Sequence, residues 1–321
     1  MHALTRRPSL PLYSDLPAQR TRSLAEQLPL AGPLGVQIQT VAACTFACRL
    51  CPVSEEHYDA RGTMSDADFA RIIEKVAGPG TLKTVRPYGL GEPLLDKTID
   101  RKIAQIVALG TVRSELTSNA ARLTPALAER LVRSGLQYLR WSVYGTTPDN
   151  LAAYIGRPVG RYSPHKIFEN IRLFARVRAA LRSETPRIHI EALPEQEAEV
   201  ALRLAGAYDS IGSNPRHNWA RFDAPDANTL HSAKQVCPYP FYFMQVNANG
   251  DCYPCGIQPT SLKLGNLLAQ SLDDVWNGPR AQEIRAAHLA RHRQSESACA
   301  KCTYLHESRD SLEDYHPKRV S

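Results

Sequence analysis

No run of 18 or more apolar residues occurs in this 321-residue chain, so no segment has the composition to cross a bilayer as a helix. Arg6-Arg7 begins like an export signal, but Pro8 to Gln27 carries Asp15, Arg20, Arg22 and Glu26 and holds no apolar core of the kind such signals need. The expected location is therefore cytoplasmic. Basic residues outnumber acidic ones by 39 to 32, a formal charge of +7, yet they are scattered and form no tract with interleaved aromatics. A nucleic-acid substrate is not expected on that pattern; the surplus charge suits an anionic small molecule. No internal repeat is visible. What the chain does have is cysteine, at positions 44, 48, 51, 237, 252, 255, 299 and 302. In a reducing compartment, clustered cysteines hold metal more often than they form disulfides. The long gap after Cys51 reads as two separate metal sites.

Residues 1–33 are rich in proline and arginine and lack periodicity, as expected of an N-terminal extension. Gly35–Thr40 alternates apolar and polar residues like a strand and leads straight towards Cys44. Ser65 suits the N-cap of a helix through Phe69, Ile72, Ile73 and Val76; Lys83–Tyr88 reads as a second strand, ending in Gly89-Leu-Gly91-Glu92-Pro93. A helix over 95–109, a strand at Val112–Thr117, a helix capped by Thr124 and stopped by Gly135, and a strand at Leu136–Val143 follow. Beyond a loop at Gly145 and Pro148, a helix over 165–182, a strand at 187–193, a helix over 195–206 and a short strand at 208–211 are expected. This alternation specifies an α/β fold with a parallel sheet, either curled into a partial (β/α)6 barrel or open and doubly wound. In both, ligands bind at the C-terminal ends of the strands. Residues 34–220 are expected to form this domain. A polar linker over 220–236 leads to a small domain at 230–310, with a hairpin around Asn249-Gly250 and a helix near 272–290, and then a tail at 311–321.

Cys44-Thr-Phe-Ala-Cys48-Arg-Leu-Cys51 is a C-x3-C-x2-C loop placed just after a strand. Three thiolates at this spacing can hold a [4Fe–4S] cluster and leave one iron open. A structural zinc site wants four ligands, and a simple electron carrier supplies a fourth cysteine nearby; neither fits this loop. At these residues the chain resembles the radical S-adenosylmethionine (SAM) superfamily. The resemblance implies a partial barrel and an open iron that binds SAM, whose cleavage yields a 5′-deoxyadenosyl radical. It further implies SAM contacts from Gly89, Gly91, Glu92 and Pro93 at the amino group, from Ser118 and Asn119 at the ribose, and from Ser142 and Arg157 at the carboxylate. An arginine such as Arg157 is equally often a solvated surface residue. The position before the third cysteine, often aromatic in the family, is Leu50, with Phe46 earlier in the loop. An external electron donor such as flavodoxin or ferredoxin is the implied partner, and no membrane partner is expected.

Cys237, Cys255, Cys299 and Cys302 form a second set, which by chemistry alone suits zinc as well as a cluster. The layout is similar to the twitch domain, a shortened form of the SPASM domain, which implies one auxiliary [4Fe–4S] cluster. Gln245 to Asp251, Pro254-Cys255, Gly265-Asn266-Leu267 and Ser271 to Asn277 carry that resemblance. Cys252 is left over, as a buried apolar residue or as a thiol that returns hydrogen to a substrate radical. Glu191, on the face of its strand shared with His189 and Arg187, and His217, in Asn214-Pro-Arg-His-Asn-Trp219, are further candidates for substrate contact. Each of them also has a structural reading.

The auxiliary cluster points to oxidation. The resemblance extends to 2-deoxy-scyllo-inosamine dehydrogenase-like antibiotic-tailoring enzymes, implying oxidation of a secondary alcohol on a sugar, aminocyclitol or nucleoside. Alternatives are a redox-neutral epimerase or decarboxylase, a ribosomal-peptide maturase and a non-enzymatic iron–sulfur sensor. The 33-residue extension is shorter than the winged-helix module that peptide maturases usually carry, which makes the small-molecule reading the expectation.

Overall fold

The computed structural model describes residues 23–49, 51–54, 62–156, 158–213, 234–258, 260–300, 302, 305 and 311–315. Nine strands are assigned: β1 (Gly35–Ile38), β2 (Thr84–Arg86), β3 (Arg113–Ser118), β4 (Tyr138–Val143), β5 (Arg187–Ala192), β6 (Ser210–Ser213), β7 (Phe243–Val246), β8 (Asp251–Tyr253) and β9 (Gly265–Asn266). They join one sheet in the order β6-β5-β4-β3-β2-β1-β7-β8-β9. Helices of seven residues or more are α1 (Asp66–Ala77), α2 (Ile99–Val107), α3 (Pro125–Arg133), α4 (Pro148–Ile155), α5 (Pro164–Ala180), α6 (Glu197–Arg203) and α7 (Pro279–Leu289).

The strand order decides between the two sheets left open by periodicity. A doubly wound sheet reverses direction at a switch point, whereas β1 to β6 are parallel and follow one another in sequence order. Their side chains separate cleanly by face. Leu116, Leu139, Trp141, Ile188 and Ile190 join a core with Leu127 and Leu131 of α3 and with Ile167 and Phe174 of α5. Val36, Ile38 and Val85 do the same with Phe69 and Ile72 of α1 and Ile106 of α2. The alternate residues are polar, yet Gln37, Arg86, Glu115, His189 and Glu191 are buried. A polar face buried with the helices on the other side belongs to a sheet curled into a partial barrel, with that face as its lumen.

Three local expectations change. The loop at Gly145–Pro148 opens into α4, because Thr147 and Asn150 form a capping box and Pro148 takes the first helical turn. The helix over 272–290 is two helices, Leu272–Trp276 and α7, since Asn277-Gly278-Pro279 breaks the ladder. The C-terminal region is also not set apart from the barrel. β7 pairs in parallel with β1, matching Gly35 to Phe243 and Ile38 to Val246, so one sheet runs through both. No helix among the described residues is long and apolar enough to cross a membrane.

Candidate active site and auxiliary pocket

The loops after β1, β2 and β3 meet at one end of the barrel, and their contacts are specific. Gly91 takes φ +137°, and a Cβ there would lie 2.3 Å from the Val41 carbonyl oxygen, so only glycine brings the β2 loop this close. Beside it, the Glu92 N–H donates to the Ala43 carbonyl at 2.8 Å, one residue before Cys44. A Cβ at Gly89 would lie 2.8 Å from that of Gln39, a fully buried residue that sequence reasoning missed. Gln39 donates to the Leu90 carbonyl and accepts the Ala248 N–H, tying the β2 loop to the turn after β7. Nothing in the pattern of a strand end announces such a bridge.

Glu92 accepts from Ser118 Oγ at 2.7 Å, from the Asn119 N–H at 2.9 Å and from the Leu94 N–H at 3.0 Å. Burial raises its pKa, and these donors act against that rise. The carboxylate thus braces the β2 loop against the end of β3, beside the Gly89–Gly91 backbone. Pro93 starts the buried turn that follows. Asn119 in turn reaches Thr45 Oγ1 at 3.0 Å and lies 3.9 Å from Cys44 Sγ. The Phe46 N–H donates to the same sulfur at 3.4 Å. Phe46 itself is buried in the core and meets Tyr162 edge-on. Leu50, Arg157 and His217 lie outside the described residues.

A tyrosine pair completes this end. Tyr144 and Tyr154 stack with centroids 4.5 Å apart, and the Tyr154 carbonyl accepts the Arg49 N–H of the cysteine loop. Burial, together with the neighbouring Tyr154 and Cys48, raises the Tyr144 pKa, and the nearby Ser142 hydroxyl opposes this. Half of this pair sits on the unforeseen helix α4, so no periodic signal marked it.

Below, the lumen is charged. Arg86 Nε meets Glu115 at 2.7 Å, and Arg113 pairs with the same carboxylate. Burial alone would raise Glu115, but Arg86 and Arg113 hold it below the ordinary carboxylate range. Two layers nearer the cysteine loop, Glu191 lies 3.5 Å from both Arg140 Nε and His189 Nε2. By strand register Glu191 is level with Ser142, so the expected inward carboxylate does point into the barrel.

At the other end of the sheet Cys237, Cys255, Cys299 and Cys302 line one pocket with apolar walls that include Pro254, Ile257, Leu262 and Leu305. Burial and the neighbouring thiols raise Cys237, and burial pushes Cys255 up to about 12. His288 and Arg293 line the same pocket.

The radical SAM superfamily matches residues 38–180, and the SPASM iron–sulfur cluster-binding domain matches residues 237–303. The chain carries a radical SAM domain and a SPASM domain. PqqA peptide cyclase of Xanthomonas axonopodis pv. citri (strain 306) is 24% identical over 289 residues, 78% of this chain and 75% of its own. The crystal structure of BtrN in complex with AdoMet and 2-DOIA superposes with a TM-score of 0.60 at 15% identity, covering 85% of this chain and 94% of that one. Streptococcus suis SuiB bound to precursor peptide SuiA superposes at 0.58 and 17% identity, covering 82% and 69%.

A radical SAM domain and a SPASM domain imply SAM and [4Fe–4S] clusters, and the residues present fit them. The loop after β1 offers three thiols with N–H donors beside Cys44. Four thiols share the SPASM pocket, but among the described residues no three His, Cys, Asp or Glu side chains converge on a single ion position. Pocket walls that raise thiol pKa values also need a cationic centre before thiolates can form.

Cys252 belongs to neither set. It is fully buried in β8 opposite Val246, packed with Val36, Ile38 and Trp276 in the layer between sheet and helices. Its Sγ donates to the Gly250 carbonyl at 3.4 Å, and burial pushes the thiol up to about 12. A hydrogen donor must reach the lumen, and this side chain faces the opposite side of the sheet. The buried-residue reading is the one that fits.

Proposed function

We propose that this radical SAM enzyme oxidises its substrate, with the four-thiol SPASM pocket as the electron-accepting end. The observation that carries this reading is the pair of ligand sets: three thiols at the barrel mouth and four in a separate pocket on the same sheet. Cys44, Cys48 and Cys51 would hold the SAM-binding cluster; Gly89, Gly91, Ser118, Asn119 and Ser142 would surround SAM, with Glu92 and Pro93 shaping that wall and Arg157 as the expected contact to the SAM carboxylate. Cys237, Cys255, Cys299 and Cys302 would hold the auxiliary cluster. The chemistry that such centres supply when loaded is removal of a hydrogen atom from substrate at one end and acceptance of an electron at the other. Glu191, held between Arg140 and His189, is placed to take the proton that a substrate loses when its radical carbon is oxidised. One-electron start-up needs an external donor of the flavodoxin or ferredoxin class.

Two substrate classes have support. The sequence relatives are peptide cyclases matched over three quarters of their length, and this favours a ribosomal peptide over the small molecule expected from sequence. A polar small molecule with a secondary alcohol has one observation in its favour: a lumen lined by Arg140, Glu191, His189 and Ser142, which offers hydrogen bonds and little apolar surface. The test is anaerobic reconstitution with SAM and dithionite, with iron counting and measurement of 5′-deoxyadenosine. About eight irons are expected from two cubanes. Adding candidate precursor peptides in one arm and aminocyclitols and sugars in the other decides the class by which arm yields a product two hydrogens lighter. Absence of 5′-deoxyadenosine in every arm would sink the enzyme reading.

A further inference from the structure

His288 is a large polar group in the SPASM pocket without an assigned task. It sits on α7, fully buried, and lines the pocket formed by the four thiols. Its Nδ1 accepts the Cys237 N–H at 3.2 Å, the Gln235 backbone also lies against the ring, and with Nδ1 as the acceptor the ring proton is on Nε2. Nε2 is buried and has no hydrogen-bond partner among the described residues. A buried N–H without an acceptor is destabilising, so a retained one calls for an acceptor that fills the pocket. Arg293 repeats the pattern. Its Nη1 donates to the Cys299 carbonyl, while its Nε is buried and has no partner among the described residues. Both side chains are therefore anchored to the backbone of pocket cysteines by one nitrogen and keep a second nitrogen in reserve. The nearby acid, Glu296, is already paired with Arg280 at 2.7 Å.

We propose that His288 Nε2–H and Arg293 Nε–H donate to the sulfur atoms of the auxiliary [4Fe–4S] centre and raise its reduction potential. This rests on the reading that the four thiols hold one cluster. Donors at cluster sulfurs stabilise the reduced, more negative state, and they are among the levers that set such potentials. They act as positioning and tuning residues, not as ligands, and they make the pocket a better electron acceptor.

The test uses the full chain with Cys44, Cys48 and Cys51 all changed to Ala, so that only the auxiliary centre is loaded. Its midpoint is read by anaerobic potentiometric titration followed by electron paramagnetic resonance. In that background His288→Leu is expected to disfavour reduction by about tenfold, a negative shift of ~59 mV for one electron. His288→Gln, which keeps a donor, should recover most of the shift, and Arg293→Leu, which removes one, should shift it in the same direction as His288→Leu. An unchanged midpoint in His288→Leu, with about four irons still bound, would overturn the proposal. So would loss of iron in His288→Leu that His288→Gln does not restore, since His288 would then be needed to hold the cluster and not to tune it. If the background protein itself binds no iron, the four-thiol reading fails instead, and the two failures are told apart by that one count.

Discussion

The two thiol sets sit on one sheet and are built on opposite principles. Around Cys44, Cys48 and Cys51 the chain supplies three sulfurs and a ring of polar contacts: Asn119 on Cys44, Glu92 on Ala43 and Asn119, and the Arg49 N–H on Tyr154. Around Cys237, Cys255, Cys299 and Cys302 it supplies four sulfurs, apolar walls and two anchored donors. The first arrangement leaves a coordination position for a ligand that comes and goes. On the proposed reading the second would complete its ligand set, and the low-polarity packing around it would suit a centre that exchanges electrons. The number of sulfurs separates the two, and the polarity of the walls agrees with the count.

The sharpest way to break the comparison is Cys48→Ala. If the barrel loop is the SAM site, 5′-deoxyadenosine formation should fall below detection by chromatography while about four irons remain. The reciprocal change, Cys299→Ala with Cys302→Ala, should also leave about four irons but spare SAM cleavage and abolish oxidised product. Persistence of product in that variant would remove the electron-acceptor role. Glu191→Gln should lower substrate turnover by about 10²-fold, in the range of a lost proton acceptor, with 5′-deoxyadenosine still formed. Gly91→Ala should weaken SAM binding and lower the thermal midpoint, since left-handed strain and the clash with Val41 together cost about 1–3 kcal/mol or more. The smallest effect belongs to Cys252→Ala. Turnover should be unchanged and stability reduced by about 1 kcal/mol, as for a small cavity in a packed layer.

Much of this molecule was legible in its residues. The cysteine spacing, the caps at Ser65 and Thr124 and the six-fold alternation are local signals, and short-range chemistry carries them. Strand parity put Glu191 on one face with His189 and Arg187, but that this face is buried was decided by the pairing of β4 with β5. Cys252 was legible only halfway: β-strand parity placed it on the face opposite Cys255, but which face was the core depended on β7 pairing with β1. Gln39, Tyr144 and His288 gave no signal, because each matters through a partner far away in sequence. What the sequence determined by itself was ligand type and order, since these are written in identity and spacing. Tertiary structure alone decided that the sheet is singly wound, that the SPASM region continues it, and that Glu92 spends its carboxylate as a brace. Those outcomes depend on long-range pairing and on which polar atoms remain after every nearer donor has been satisfied.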